Sequence, residues 1–277
     1  MVNETMNTLL KRKVNSYWNA QSCGEVNAVS LTGTFDLDEQ ARERYLLEPY
    51  IFDFAKFHEG KKRNVLEVGI GMGADHALWA RSGPEILCGI DLSQRAIQFT
   101  AQCLAQCGLN SMLQRGDAEN LPFRSHSFDV VYSWGVLHHS PDTPRCVAEV
   151  FRVLRQRGIA RIMIYHKWSL VGLMLWYRYA LLSGKPRRDL DDVYFHHLES
   201  PGTKAYTVNS ARRMFDVAGF SSITIRIQLS HGDLLRGKVG SRHQGTLLNL
   251  AKSLWPRSVL KVIAPQFGLY LLVEAVK

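Results

Sequence analysis

Three carboxylates and three glycines are spaced so that they could hold a charged nucleoside. Glu67 lies at the end of the run Val65-Leu66-Glu67-Val68, which leads directly into Gly69-Ile70-Gly71-Met72-Gly73. Asp91 closes the next apolar run, and Asp117 follows a third. Glycines permit positive φ and let the backbone approach a ligand closely. A helix N-terminus behind such a turn favours negative or polar ligand groups. Gly69, Gly71 and Ala74 also satisfy the glycine pattern of dinucleotide-binding turns, so the turn alone leaves two ligand classes open. Glu67 separates them: a carboxylate there repels a pyrophosphate and suits a ligand bearing an ammonium group. Asp91 is placed to accept both ribose hydroxyls, and Asp117 to accept from an adenine amino group.

Short apolar runs must carry these residues. Asn64–Val68, Glu85–Leu92, Met112–Arg115, Phe128–Trp134 and Ile159–Tyr165 read as five strands, and near-continuous apolar runs are the mark of parallel strands buried on both faces. Helical patterns lie between them. One is capped by Ser93 and ends near Gly108; another opens at Thr143-Pro144, with Gly158 just past its end. After an aromatic-rich insertion the alternation resumes, with a helix over about 207–218 stopped by Gly219 and strands over 222–229 and 268–276. The last two strands lack a standard crossover helix and are expected to pair antiparallel.

The segments LEVGIGMG, GIDLS, GDAENLPF and FDVVYSWGVLHH, in this order and spacing, resemble the class I S-adenosylmethionine (SAM)-dependent methyltransferases, in the broad group that includes the quinone C-methylases. The resemblance covers roughly residues 64–164 and extends to the C-terminal strand pair. It implies a single α/β domain. A Rossmann-like seven-stranded sheet, mostly parallel with the last strand antiparallel, is flanked by helices and carries two helical insertions. Residues 1–60 would form an N-terminal helical cap, 61–165 the SAM-binding core, 166–206 an aromatic insertion or lid, and 207–277 the remainder, with a second insertion over 231–266. It also implies that Gly69, Gly71 and Gly73, with Glu67, line the methionine and ribose. Asp91 and Leu92 would hold the ribose, Asp117 and Ala118 the adenine. Ser133 and Trp134 would stand near the methionine end, and Tyr17 and Trp18 would close the cofactor from an N-terminal helix.

Methyl transfer from a sulfonium is an in-line displacement on an already activated electrophile, so the protein's main task is alignment in a dry pocket. A base is needed only where the nucleophile must lose a proton. His138, after the fourth strand, and His166, after the fifth, are the two expected for that role; the competing readings are a histidine that orients the cofactor loop and an exposed loop histidine. His139 is ranked below them. His196, His197 and Glu199 in the first insertion are read as loop polarity rather than a metal site, and His231, Gly232 and Asp233 could reach a substrate pocket.

The five cysteines include no Cys-x-x-Cys pair, and no metal is expected. A formal charge of +9 with only short basic clusters reads as a basic, unspecialised surface. The run 168–182 is too short to span a bilayer and contains Arg178. Its apolar residues could cover the core or cap an apolar or aromatic substrate. The second insertion, rich in leucine and broken by Pro256, allows at most peripheral membrane contact. These features together predict a cytoplasmic monomer or homodimer acting on a small molecule and not on nucleic acid. An NAD(P)-dependent oxidoreductase, a nucleic-acid methyltransferase and a SAM-binding protein without transfer are the alternatives. Glu67 and the C-terminal strand pair oppose the first, and Ser133-Trp134-Gly135-Val136 stands where an amino-methylating D/N-P-P-Y motif would lie.

Overall fold

The computed structural model describes residues 2–20, 37–236 and 255–277. Seven strands, β1 (Asn64–Val68), β2 (Ile86–Asp91), β3 (Met112–Arg115), β4 (Phe128–Trp134), β5 (Leu154–Tyr165), β6 (Ser222–Gln228) and β7 (Tyr270–Val276), form one sheet in the order β3-β2-β1-β4-β5-β7-β6. β1 pairs in parallel with β2 and β4, while β7 lies antiparallel to both β5 and β6. This is the expected mostly parallel sheet with its last strand reversed.

The periodicity of β1 divides the core. Leu66 and Val68 face Val147, Val150 and Phe215 on the helices α6 (Thr143–Val153) and α9 (Val208–Ala218). Val65 faces the opposite layer with Phe54 and Trp79, from α3 (Tyr50–Ala55) and α4 (Ala74–Arg81). Burial on both faces explains why the strand has no polar–apolar alternation. Three further helices complete the N-terminal half: α1 (Val2–Ala20), α2 (Leu37–Leu47) and α5 (Gln94–Gln106). Ser93 caps α5 by accepting from Ala96 N, and Thr207 caps α9 by accepting from Ser210 N.

The fifth strand departs from its expected limits. α6 stops at Val153 and β5 begins at Leu154, pairing first with Phe128 and then, after a bulge, pairing Ile159 with Val130. Gly158 therefore ends no helix. It sits in the bulge, where a Cβ would come within 2.9 Å of the Arg155 carbonyl oxygen. The cap of α6 is Asp142, whose carboxylate accepts from Arg145 N, with Pro144 in the first turn.

The first insertion is a packed helix pair, α7 (Leu170–Trp176), continued by a π-helical turn over Tyr177–Leu181, and α8 (Leu190–His197). Leu175, Val193 and Tyr194 pack on Tyr165, Tyr270 and Leu272 of the sheet. Gly172 brings the helices together: a Cβ there would lie 2.0 Å from Tyr194 Oη. The leucine-rich stretch over 247–254 and Cys23 lie outside the described residues; from the second insertion, α10 (Arg257–Ile263) is seen. The other cysteines are free. No helix among the described residues is long and apolar enough to cross a membrane.

Candidate active site

A cavity of about 370 Å³ opens at the carboxyl ends of β1, β2 and β4, where open α/β sheets place their ligands. Its glycine end is built by the turn after β1. Gly69 and Gly71 adopt φ of 82° and 52°. A Cβ at Gly69 would strike Val136 at 2.1 Å, whereas one at Gly71 would meet no atom within 4 Å. Gly69 is thus demanded by packing, and Gly71 leaves backbone open to a ligand.

Glu67, Gly69, Gly71, Gly73, Asp91, Leu92, Asp117, Ala118, Trp18 and Trp134 all line the cavity. Asp91 is fixed by its own loop. Its Oδ1 accepts from Ser93 N and Oγ, and its Oδ2 from Gly71 N at 3.2 Å. Four lone-pair sites per carboxylate leave one open on Oδ2, and a second opens if the Ser93 hydroxyl turns away. Asp117 is bound from above: Lys11 of α1 donates to its Oδ2 at 2.6 Å and to Glu119 Oε2 at 2.6 Å. Lys11, Val14 and Trp18 share one face of α1 and line the cavity together. Tyr17 stands edge-on to Trp18, 4.9 Å between centroids, and is not itself at the cavity wall. Ser133 is also behind the wall, donating to the Val68 carbonyl at 2.8 Å.

Glu67 is 2% exposed and belongs to a buried chain of polar groups. Ser111 Oγ donates to Leu87 O, so it accepts from His76 Nε2–H at 2.7 Å. Burial pushes the His76 pKa down to about 3, and its Nδ1 lies 2.9 Å from Glu67 Oε2. Burial, with the nearby charges of Asp75 and Asp91, raises the Glu67 pKa.

The two histidines expected as bases are not at the cavity. His138 is fully buried, its ring 3.9 Å from that of Tyr165, and neither of its nitrogens has a partner among the described residues. Burial drives its pKa well below the usual value. His166 is 4% exposed and donates from Nδ1 to Gly268 O. The backbone after each strand turns both side chains into the core. His139 faces the cavity instead, its Nε2 3.3 Å from Glu199 Oε2, which also accepts from Tyr165 Oη at 2.8 Å. Among the described residues, His138, His139 and Glu199 bring possible ligand atoms within 4.8 Å of one another. His196 and His197 are apart from them, held by Asp192 and by Arg188 with Tyr179.

Sequence reasoning missed most of the far end. Asp75 accepts from Arg44 Nε and Nη2 at 3.0 and 2.7 Å, from Tyr45 Oη at 2.9 Å and from Tyr132 Oη at 2.8 Å. Burial alone would raise its pKa, but the Arg44 guanidinium holds it below the usual range. Arg44 also lies 6.0 Å over the Trp134 ring, which Tyr50, Phe54 and Tyr270 hold in place. Glu48, on the same wall, contacts His231 and Tyr270. The only signal in the chain was the position of His231 after a strand end.

Residues 66–162 match a methyltransferase-domain family. Over 97 residues the chain is 40% identical to a phthiotriol/phenolphthiotriol dimycocerosates methyltransferase of Mycobacterium leprae, covering 35% of each; the chain thus spans about a third of the length of the curated relatives it matches. Among solved structures, an S-adenosylmethionine-dependent methyltransferase from Mesorhizobium loti superposes with a TM-score of 0.55 at 17% identity, covering 87% of this chain and all of the other. The cyclase SpnF superposes with a TM-score of 0.54 at 17% identity, covering 100% of this chain and 94% of that one.

Proposed function

We propose, from the match of residues 66–162 to a methyltransferase-domain family, that this protein is a class I SAM-dependent methyltransferase that transfers the SAM methyl group to a small molecule seated at the far end of the cavity. The observation that carries the reading is the convergence of Glu67, Asp91 and Asp117, from three successive strand ends, on one cavity beside the Gly69–Gly73 turn.

The residues present fit SAM. Asp91 offers its open Oδ2 site to the ribose. The bare backbone at Gly71 admits the ligand, and Asp117 with Ala118 borders the adenine side under Lys11 and Trp18. Burial raises the Glu67 pKa, and a nearby cationic ligand favours its carboxylate form. Bound SAM supplies a methyl group already activated by the positive sulfur. The chain's part is to align the acceptor and exclude water, and the aromatic wall of Trp134, Tyr165 and Tyr270 suits an apolar or aromatic acceptor. An apolar acceptor agrees with the name of the mycobacterial relatives, phthiotriol/phenolphthiotriol dimycocerosates methyltransferases.

Thermal unfolding with SAM, S-adenosylhomocysteine or NAD tests the reading. SAM and S-adenosylhomocysteine are expected to raise Tm and NAD to leave it unchanged; a rise with NAD alone overturns it. A rise with SAM but no S-adenosylhomocysteine formed with any acceptor would favour a role like that of SpnF, whose name records a cyclase on this fold.

A further inference from the structure

His231 follows β6, lines the cavity and is 37% exposed at its side chain. Its Nδ1 lies 3.2 Å from Oε1 of Glu48, which stands between α2 and α3 and is almost fully buried. The same oxygen accepts from Tyr270 Oη at 2.7 Å and Tyr50 Oη at 3.2 Å, while Arg44 Nη1 lies 3.8 Å from Oε2. Burial alone would raise the Glu48 pKa, but the His231 hydrogen bond and Arg44 hold it below the usual range. An ionised carboxylate can only accept, so Nδ1 carries a proton, and in the neutral imidazole Nε2 then keeps the lone pair. Nε2 has no partner among the described residues. Glu199 lines the same cavity, and both of its contacts fall on Oε2.

We propose that His231, held by Glu48, is the general base of the transfer and that the acceptor is a hydroxyl, alcoholic or phenolic; this rests on the methyltransferase reading above. A thioether or neutral amine attacks a sulfonium without a base, whereas a hydroxyl must lose its proton as its oxygen bonds to carbon. His231 Nε2 takes that proton while the oxygen's electron pair forms the C–O bond. The C–S bond breaks, its electron pair returns to sulfur as a neutral thioether, and the imidazolium then yields its proton to solvent. Glu199 can accept a further hydroxyl of the acceptor. Glu48, Tyr50 and Arg44 face His231 from the N-terminal side, Glu199 from the insertion, Asp233 from its own turn and Tyr270 from β7. Burial lowers the His231 pKa, but Glu48, followed by Glu199 and Asp233, raises it overall. Activity is therefore lost as pH falls through that raised pKa.

The test uses the full chain. Calorimetric titration with SAM comes first: no binding by the wild type would overturn the methyltransferase reading itself, whereas unchanged affinity in His231→Gln and Glu48→Gln isolates the base. Nitrogen-15 NMR of the S-adenosylhomocysteine complex is expected to show His231 unprotonated at Nε2 and titrating above the free-imidazole value, with a lower midpoint in Glu48→Gln. Deuterium-labelled SAM is then offered with catechol, a long-chain secondary alcohol, phenethylamine and an alkyl thiol. Transfer to a hydroxyl, slowed about a hundredfold or more in kcat by His231→Gln, supports the proposal. It is overturned by a neutral His231 whose proton sits on Nε2, by a midpoint unmoved in Glu48→Gln, by full rate in His231→Gln, or by a panel in which neither hydroxyl compound is methylated.

Discussion

At the glycine end of the cavity, the glycines and the three carboxylates stand at strand tips or just after them, Glu67 and the glycines on β1, Asp91 on β2 and Asp117 after β3, with Lys11 and Trp18 of α1 laid over them. At the far end the groups come from segments that share no strand: Arg44 and Glu48 from the N-terminal helices, Glu199 from beyond α8, His231 after β6, Tyr270 from β7. The first end is made by local chain geometry and suits a ligand of fixed shape. The second is made by packing distant elements, so it can change its chemistry without disturbing the sheet. A cyclase and a methyltransferase sharing this fold fit that division.

The largest effect that would test this contrast is on the far wall. Replacing Arg44 by alanine leaves Asp75 buried with two tyrosine donors and no cation. Breaking a buried pair costs about 3–5 kcal/mol, and denaturant unfolding should show a loss of that size; an unchanged midpoint would remove the Arg44–Asp75 pair as the far end's anchor. At the glycine end, Asp91→Ala should weaken SAM binding by about a hundredfold, or about 2.7 kcal/mol, with little change in unfolding. Unchanged affinity in calorimetry would take Asp91 out of the site.

A smaller effect sharpens the role of Glu67. Its pKa is raised by burial and by Asp75 and Asp91, and a cationic ligand lowers it. Binding then releases a proton, so SAM affinity should climb with pH below the raised pKa and level off above it. Glu67→Gln should flatten that slope, read by titration in buffers of different ionisation enthalpy; an equal slope in the variant assigns the proton elsewhere. The smallest effect is at Lys11, 27% exposed between Asp117 and Glu119. Partly exposed ion pairs contribute roughly 0.2–1 kcal/mol, so Lys11→Ala should weaken SAM binding less than about fivefold.

The strands were legible because burial on both faces leaves continuous apolar runs, and the cap at Ser93 because its hydroxyl has a local partner three residues on. Arg161 shows the limit. A charge in the middle of β5 reads as a flaw in a buried strand, yet it donates to Glu274 on β7, Glu59 and the Ala55 carbonyl, all distant in sequence. His138 and His166 were misplaced for the same reason: a strand end fixes where the backbone is, and the next turns decide which way the ring points.

Residue order alone determined the sheet, the glycine turn and the carboxylates at its strand tips, because each follows from periodicity and φ within a few residues. Tertiary structure alone decided that Glu48 meets His231, that Glu199 meets His139 and that His138 is sealed in the core. Those outcomes depend on how helices from both ends of the chain settle on the sheet, and no local spacing records it.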